Sequence, residues 1–218
     1  MIGSAVYLAV LLTWLLVSGA SWKVALWLLV VVVVGLFIPG EANQVSLARA
    51  YLAGPAAAYA VGGQFGALAV VVAIAGLSDL VDGTVARRFE RPSSLGGALD
   101  PVVDGVLMGA TTLGLALGGA FPVWLAVVVI ARYLVPALAG GLLLASGRRP
   151  ELRHTLTGQI STTLILILVG GVALFRGLRQ EPDGYLTAAE VVIPLATVAT
   201  WVHLALSLRR AAVAAVPG

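Results

Sequence analysis

Several residue types that often build catalytic sites are scarce in this chain. It has no cysteine, which excludes disulfides, thiolate metal sites and a cysteine nucleophile. Its two histidines exclude a histidine-rich metal site, and its single lysine, Lys23, excludes a phosphate site built on lysine. Charged residues make up 11% of the 218 residues, against about 25% in soluble domains. A soluble globular enzyme is therefore excluded, and no basic and aromatic surface suggests a nucleic-acid partner.

Apolar sequence, in contrast, dominates the chain. Hydrophobic residues account for 60% of it, and the mean hydropathy is +1.04. A membrane-spanning helix needs about 20 apolar residues, so the length suits a bundle of about six to eight helices. We predict an all-α fold, a polytopic membrane helix bundle. Turn-forming breaks separate predicted helices at residues 5–18, 24–38, 43–62, 65–88, 95–117, 122–145, 157–175 and 187–208.

The predicted helices form an N-terminal transmembrane hairpin (1–40), a six-helix core (41–210) and a short cytoplasmic tail (211–218). Their orientation follows from the positively charged residues, which concentrate in cytoplasmic loops. Eight spans leave only Lys23, Arg176 and Arg179 on one side. The other side, which we predict to be cytoplasmic, receives Arg87, Arg88, Arg91, Arg148, Arg149, Arg153, Arg209 and Arg210.

Four of the five aspartates, namely Asp79, Asp82, Asp100 and Asp104, lie within one strongly apolar window. An ionised side chain at membrane depth costs roughly a few kcal/mol, so it usually faces a cavity and marks a functional site. The spacings i,i+3 and i,i+4 place each pair on one face of its helix. We predict that both pairs face a common cavity near the cytoplasmic membrane surface. Two divalent cations held there by carboxylate oxygens would offset the negative charge.

Small and basic residues accompany these aspartates. Gly83, Ala86 and Gly96 allow close helix contact, or the close approach of a ligand to the backbone. Arg87 lies one turn after Gly83 and suits a phosphate oxygen. Together they indicate a phosphate-bearing ligand beside the predicted metal site.

Individual aspartates also allow simpler interpretations. Asp79 could be a helix-end residue, and Asp100, which precedes Pro101, could be a helix N-cap. The joint spacing of all four carboxylates favours the metal site.

The window resembles a known signature. It fits every specified position of the CDP-alcohol phosphatidyltransferase signature, D-x2-D-G-x2-A-R-x8-G-x3-D-x3-D. Upstream, Asn43, Ser46 and Arg49 are similar to the Asn-x-x-Thr…Arg opening of that family's first core helix, with serine for threonine. The resemblance covers the six helices from Asn43 to about Leu208, and residues 1–38 lie outside it. The signature residues here are Asp79, Asp82, Gly83, Ala86, Arg87, Gly96, Asp100 and Asp104.

The resemblance implies an activity and a set of roles. An alcohol hydroxyl would attack a phosphorus of a CDP-linked lipid such as CDP-diacylglycerol, and CMP would leave. Asp79, Asp82 and Asp100 would hold two divalent metal ions, Mg or Mn, while Asp104 would act as the general base and contact the second metal. The protein would be a homodimer among membrane lipids. The implied CDP-lipid site consists of Asn43, Ser46, Arg49, Gly83, Ala86, Arg87 and Ser93.

The acceptor alcohol is less well specified, because family members use glycerol phosphate, inositol phosphate, phosphatidylglycerol or other alcohols. Arg132 lies inside a predicted helix and needs an anion or a carbonyl partner, so it is a candidate for an acceptor phosphate or for structural pairing with a neighbouring helix. Arg153 and His154 are further candidates, although His154 could be a solvated loop residue. Residues 155–162 resemble the Gly-Lys-x-x-Thr region of glycerolphosphate-type members, with Gln159 in place of lysine. We expect glycerol 3-phosphate or phosphatidylglycerol ahead of inositol phosphate.

A divalent-cation transporter is the alternative function class. A translocation path would need polar residues across the bilayer, and beyond Asp104 its helix offers only Thr111 and Thr112. The sequence therefore favours a transferase.

Overall fold

The computed structural model describes residues 21–38, 41–89, 94–145 and 156–214, together with Ala9 and Thr13. In this part of the chain every regular element is an α-helix, which confirms the predicted all-α fold. The first predicted helix, 5–18, lies outside the described residues except for Ala9 and Thr13, which are helical. The helices are α1 (Trp22–Leu36), α2 (Glu41–Val61), α3 (Phe65–Phe89), α4 (Ser94–Leu117), α5 (Val123–Ala145), α6 (Leu156–Gly177) and α7 (Asp183–Ala214).

Membrane-spanning character is clear in the second half of the chain. Within the described ranges, 4 segments are long and apolar enough to cross a bilayer: Leu99–Leu117, Val123–Gly140, Ile160–Gly177 and Asp183–Leu206. Two shorter segments, Trp22–Leu36 and Phe65–Ser78, are also apolar. Large apolar side chains are exposed along the outer helix faces, as expected where lipid replaces water. The protein is an integral membrane helix bundle.

The helix starts lie within two residues of the predicted ones, except that of α7. Helix α7 begins at Asp183 rather than at 187, because the Pro182 carbonyl accepts hydrogen bonds from the backbone N–H groups of Tyr185 (2.9 Å) and Leu186 (3.0 Å). Helix α4 begins at Ser94, so Asp100 lies inside the helix and does not cap it. The N-cap interpretation of Asp100 is therefore wrong.

Helices α2 and α4 run side by side because small residues line their contact. A Cβ atom added to Gly114 would lie 2.8 Å from the Ala60 Cβ and 3.1 Å from the Ala57 carbonyl oxygen. A Cβ atom on Gly118 would lie 2.5 Å from the Ala60 carbonyl oxygen. Such small-residue contacts let helix backbones approach closely in membranes. The two helices are parallel, so the start of α2 lies beside the start of α4, where the aspartates are.

Trp27 forms one of the contacts that hold helix α1 on α2. The indole Nε1 of Trp27 donates a hydrogen bond to the Ala50 carbonyl oxygen at 2.8 Å. The ring packs over Gly54, where an added Cβ would lie 2.6 Å from Trp27 Cδ1. The side chain of Ser21 caps α1 by accepting from the Lys23 backbone N–H. The described helix of the predicted N-terminal hairpin thus packs directly on the first helix of the predicted core.

Candidate active site

An arginine and two carboxylates meet where α2 and α4 begin. The Nη1 atom of Arg49 donates to Asp104 Oδ1 at 2.8 Å, and its Nη2 atom donates to Asp100 Oδ1 at 3.3 Å. The Ser46 hydroxyl donates to the same Asp100 oxygen at 2.6 Å. Ser46 and Arg49 are spaced i,i+3 and the aspartates i,i+4, so each pair occupies one helix face. The structure therefore brings together four residues that the sequence singled out.

Burial differs sharply within this cluster. The side chain of Arg49 is 3% exposed, that of Asp104 18% and that of Asp100 35%. A charge buried as deeply as that of Arg49 needs a partner, because its desolvation is otherwise uncompensated. The two carboxylates supply that partner. Arg49 thus brings one formal positive charge to the two formal negative charges of Asp100 and Asp104.

Sequence reasoning assigned Arg49 to the nucleotide site and missed its ion pairs. A signal was present, because an arginine inside a predicted membrane helix needs an anionic or carbonyl partner, and the motif carboxylates lie on the next two helices. The sequence alone does not show that α2 packs parallel to α4. This packing makes Asp100 and Asp104 the partners of Arg49.

The structure describes the remaining predicted site residues only in part. Asp79 and Asp82 belong to α3, which continues to Phe89. Asn43 is buried near the start of α2. Three predicted residues, Ser93, Arg153 and His154, lie outside the described residues. The side chains of Asp79, Asp82, Gly83, Ala86, Arg87 and Gly96 lie outside the described part as well.

The donor chemistry of the visible carboxylates fits a divalent metal ion. Mg²⁺ and Mn²⁺ prefer hard oxygen ligands, and Asp100 and Asp104 present carboxylates from successive turns of one helix. Among the described side chains no group of three or more metal-ligating residues occurs. The two further carboxylates of the predicted set, Asp79 and Asp82, fall outside those side chains.

A small cavity of about 30 Å³ adjoins Asp104. Met108 follows Asp104 by one turn of α4, and Leu166 follows Thr162 by one turn of α6, so the lining has a polar part and an apolar part. The polar part consists of Arg49, Asp104, Thr162 and Thr163, and the apolar part of Ala75, Met108 and Leu166.

Tyr133 of α5 contacts one residue of this lining, Thr162. Its hydroxyl donates to Thr162 Oγ1 over 3.5 Å. Its side chain rests on Gly105, the residue after Asp104, where an added Cβ would lie 2.8 Å from the Tyr133 Cβ. Sequence reasoning did not select Tyr133 or Thr163, because neither belongs to a motif.

Arg132 makes structural contacts with two neighbouring helices. It is buried (3% exposed), and its Nη1 atom donates to the Ala196 carbonyl at 2.9 Å and to Thr200 Oγ1 at 2.8 Å. Its Nη2 atom reaches the Gly158 carbonyl at 3.4 Å. The ion pairs found among the described residues involve Arg49 and Arg176 rather than Arg132. These contacts correspond to the structural pairing that the sequence left open.

A sequence model of the CDP-alcohol phosphatidyltransferase family matches residues 41–213 of the chain. The chain belongs to this family. The match begins with α2 and ends one residue before the end of α7, so it includes the whole Arg49–Asp100–Asp104 cluster and confirms the resemblance seen in the motif. Helix α1 lies outside it.

Curated relatives carry two kinds of name. The chain is 38% identical over 81 residues to a cardiolipin synthase (CMP-forming) of Streptomyces coelicolor, which covers 37% of this chain and 38% of that protein. It is 30% identical over 140 residues to a probable cardiolipin synthase (CMP-forming) of Drosophila melanogaster, covering 61% and 44%. It is 29% identical over 134 residues to a CDP-diacylglycerol–glycerol-3-phosphate 3-phosphatidyltransferase of Bacillus subtilis, covering 62% and 64%. The chain therefore spans less than two thirds of each of these relatives. No solved structure matches it.

Proposed function

We propose that this protein is an enzyme of phospholipid synthesis that transfers a phosphatidyl group, a substituted phosphate, from CDP-diacylglycerol to an alcohol acceptor and releases CMP. One observation carries the proposal: the last two aspartates of a complete eight-residue family signature lie together beside Arg49 and Ser46. The family match over residues 41–213 and relatives named as CMP-forming synthases support it.

In this proposal Asp104 is the general base. Its carboxylate takes the proton from the acceptor's hydroxyl, the oxygen attacks a phosphorus of the donor, and CMP leaves with the electron pair of the broken P–O bond. Arg49 fixes one oxygen of Asp104, so it orients the base. Transfer of a substituted phosphate depends mainly on positioning and on offsetting charge, and this cluster provides both.

Asp79, Asp82, Asp100 and Asp104 would hold two divalent ions, Mg or Mn. Such ions, when bound, offset the charge of the diphosphate and polarise its oxygens. Ser46 and Arg49 orient the two α4 carboxylates of this set. The metal set is a proposal from the motif and from the chemistry of the visible carboxylates.

The donor would lie across the same end of the bundle. The small residues of α3 would let the cytidine diphosphate approach the backbone, and Arg87 and Ser93 would contact its phosphates. Ser46 and Arg49 would act on the aspartates as well as on the donor. The full proposed donor site is Asn43, Ser46, Arg49, Gly83, Ala86, Arg87 and Ser93.

For the acceptor we propose glycerol 3-phosphate or phosphatidylglycerol, with inositol phosphate as the alternative. The names of the bacterial relatives support the first two, since one is a glycerol-3-phosphate transferase and the other a cardiolipin synthase. Arg132, Arg153 and His154 are the proposed acceptor contacts. The carbonyl contacts of Arg132 weaken its own candidacy, because its charge is already stabilised by neighbouring helices.

Sidedness and assembly are further parts of the proposal. The arginine distribution places the aspartate end of the bundle in the cytoplasm, where water-soluble CMP and glycerol phosphate are available. The glycine- and alanine-rich helix faces suit a homodimer.

The proposed function can be tested with purified protein in lipid vesicles. With Mg²⁺ or Mn²⁺ and CDP-diacylglycerol, we expect CMP release when glycerol 3-phosphate or phosphatidylglycerol is added, and loss of release in Asp104→Asn. Asp183→Asn, in the exposed first turn of α7, is the matched control and should keep full activity. No CMP release with any acceptor would overturn the proposal. Mn²⁺ uptake into the vesicles without CMP release would favour a transporter instead.

A further inference from the structure

Tyr133 of α5 lies directly against the backbone of α4 at the residue that follows Asp104. A Cβ atom added to Gly105 would lie 2.8 Å from the Tyr133 Cβ and 3.0 Å from its Cγ. Carbon atoms in ordinary contact lie about 3.5–4.0 Å apart, so this position of α4 has no space for a side chain. We propose that Tyr133 is a positioning residue, whose ring rests on Gly105 and thereby holds the carboxylate of Asp104 in place for the reaction. This inference rests on the proposed function.

Helix α4 is held from a second side at the same level. Arg49 of α2 donates from its Nη1 atom to Asp104 Oδ1 at 2.8 Å. Successive residues of an α-helix point about 100° apart, so the contact at Asp104 and the contact at Gly105 lie on different faces of α4. Together the two contacts restrict rotation of α4 about its axis, and such a rotation would move the Asp104 carboxylate.

Contacts with two further helices fix the Tyr133 ring itself. The guanidinium carbon of Arg132 lies 5.8 Å from the centre of the ring, within the cation–π range of about 6 Å. This guanidinium is bound to α7 through the Ala196 carbonyl at 2.9 Å and Thr200 Oγ1 at 2.8 Å. The Tyr133 hydroxyl reaches Thr162 of α6 at 3.5 Å, which is long for a hydrogen bond. The position of the ring therefore depends on α6 and α7, and its main contact with α4 is steric.

One turn further along α4, the contact with α5 is looser. A Cβ atom added to Gly109 would lie 3.5 Å from Ile130 Cγ1, which is an ordinary van der Waals distance. Of these two glycines, Gly105 makes the closer contact, and it is the one next to the proposed base. Gly109 therefore offers a matched control on the same helix.

The first experiment inserts the missing Cβ atom with Gly105→Ala. To reach an ordinary contact distance, α4 and α5 must separate by about 1 Å, and a misplacement of this size costs up to about 100-fold in rate. We expect kcat for CMP release per folded molecule to fall at least about tenfold, while the KM for CDP-diacylglycerol stays constant, because none of the proposed donor contacts lies on α4. Gly109→Ala should keep the wild-type kcat and KM. A wild-type kcat in folded Gly105→Ala protein would overturn the inference.

A second experiment asks whether the effect passes through Tyr133. Tyr133→Gly removes the atoms that an added Cβ on Gly105 would meet. In that background, Gly105→Ala should lower kcat by less than about twofold, so a double-mutant cycle in kcat should show a coupling of about fivefold or more. A contact that only stabilises the bundle would couple the two substitutions in Tm and leave kcat per folded molecule unchanged. Coupling in Tm alone would therefore overturn the inference.

A third experiment separates the ring from its hydroxyl, and it decides the question if Gly105→Ala fails to fold. Tyr133→Phe keeps the ring and should retain kcat within about twofold, whereas Tyr133→Leu removes the ring and should lower kcat about fivefold to tenfold. Equal kcat values in the two variants, with an active wild type, would overturn this inference and leave the proposed function standing. Absence of CMP release from the wild type, with glycerol 3-phosphate, phosphatidylglycerol and inositol phosphate alike, would overturn both.

Discussion

At the residue scale, the position of Arg49 has the largest consequences. Its guanidinium is almost fully buried and contacts one carboxylate from each of two successive turns of α4. Removing one partner from a buried ion pair leaves the other charge uncompensated. Both the stability of the bundle and the geometry of the proposed base therefore depend on this side chain.

We predict that Arg49→Gln destabilises the protein by about 2–3 kcal/mol, below the range of roughly 3–5 kcal/mol for fully buried pairs, because Asp100 is 35% exposed. CMP release should fall at least about tenfold. Arg49→Lys should recover part of the stability but less of the activity, since an ammonium does not reproduce the planar fork of the guanidinium. Thermal unfolding in detergent and CMP release measure the two effects.

Arg179→Gln is the control for this series, because Arg179 is exposed beyond the end of α6. It should leave both quantities unchanged. Wild-type kinetics in folded Arg49→Gln protein would contradict an orienting role for Arg49.

At the scale of helices, the contact between α2 and α4 determines whether the cluster forms. Gly114 and Gly118 lie against Ala57 and Ala60 at separations that leave no space for a side chain. Arg49 of α2 and the aspartates Asp100 and Asp104 of α4 lie toward the opposite ends of these two helices. A change in this packing should therefore be transmitted to the active site along rigid helices.

We predict that Gly114→Leu costs about 1–3 kcal/mol of stability, the usual range for overpacking, and lowers CMP release even in the fraction that remains folded. Gly66→Leu is the matched control, because an added Cβ there meets nothing within 4 Å. Melting curves and activity per folded molecule give the two readouts. An active Gly114→Leu protein of normal stability would show that the helices do not pack as described.

A second helix contact lies far from the active site. Tyr185 of α7 packs its ring into the space above Gly171 of α6, so closely that an added Cβ would overlap the ring. The ring also lies against Phe175, with centroids 5.0 Å apart. This contact joins α6 to α7 at the opposite end of the bundle from Asp104.

We predict that Gly171→Ala lowers stability by about 1–3 kcal/mol and that adding Tyr185→Leu recovers part of the loss. A double-mutant cycle in thermal unfolding measures this coupling. CMP release per folded molecule should stay near the wild-type value. Strictly additive effects of the two substitutions would contradict the described contact.

At the scale of the whole molecule, Asp100 and Asp104 lie together in an otherwise apolar bundle, and the proposed metal site adds Asp79 and Asp82. Like charges held close together disfavour the ionised state unless a cation joins them. The protein should therefore depend on divalent ions for stability as well as for activity.

We predict that excess EDTA abolishes CMP release and lowers the melting temperature, and that Mg²⁺ or Mn²⁺ restores both, because a ligand that binds the folded state stabilises it. In Asp100→Asn, the melting temperature should respond less to added metal than in the wild type. Full CMP release in excess chelator would contradict a metal requirement.

Much of this arrangement could be predicted from the sequence because it depends on local periodicity. Apolar runs separated by glycine, proline and charge located the helices, and the i,i+4 spacing placed Asp100 and Asp104 on one face. The start of α7 was missed because Asp183 and Gly184 suggest a loop, whereas the Pro182 carbonyl extends the helix backward.

The partners of Arg49 and the cavity beside Asp104 depend on packing between helices that are distant in sequence. Arg49 and Asp104 are 55 residues apart, and only the parallel contact of α2 with α4 joins them. Met108 of α4 and Leu166 of α6 line the cavity from two different helices. Neither side chain belongs to a motif, so no sequence pattern indicated their role.

The anchoring of Trp27 on α2 has a consequence for the active site. Trp27 binds the carbonyl of Ala50, the residue directly after Arg49, and fills the surface over Gly54. Since an α-helix turns about 100° per residue, even a modest axial rotation of α2 would swing the guanidinium away from Asp104. Helix α1, which lies outside the family match, therefore helps to hold α2 in the rotation that places Arg49 beside Asp104. Loss of α1 would therefore impair the proposed reaction by misplacing Arg49, although every residue of the proposed site would remain.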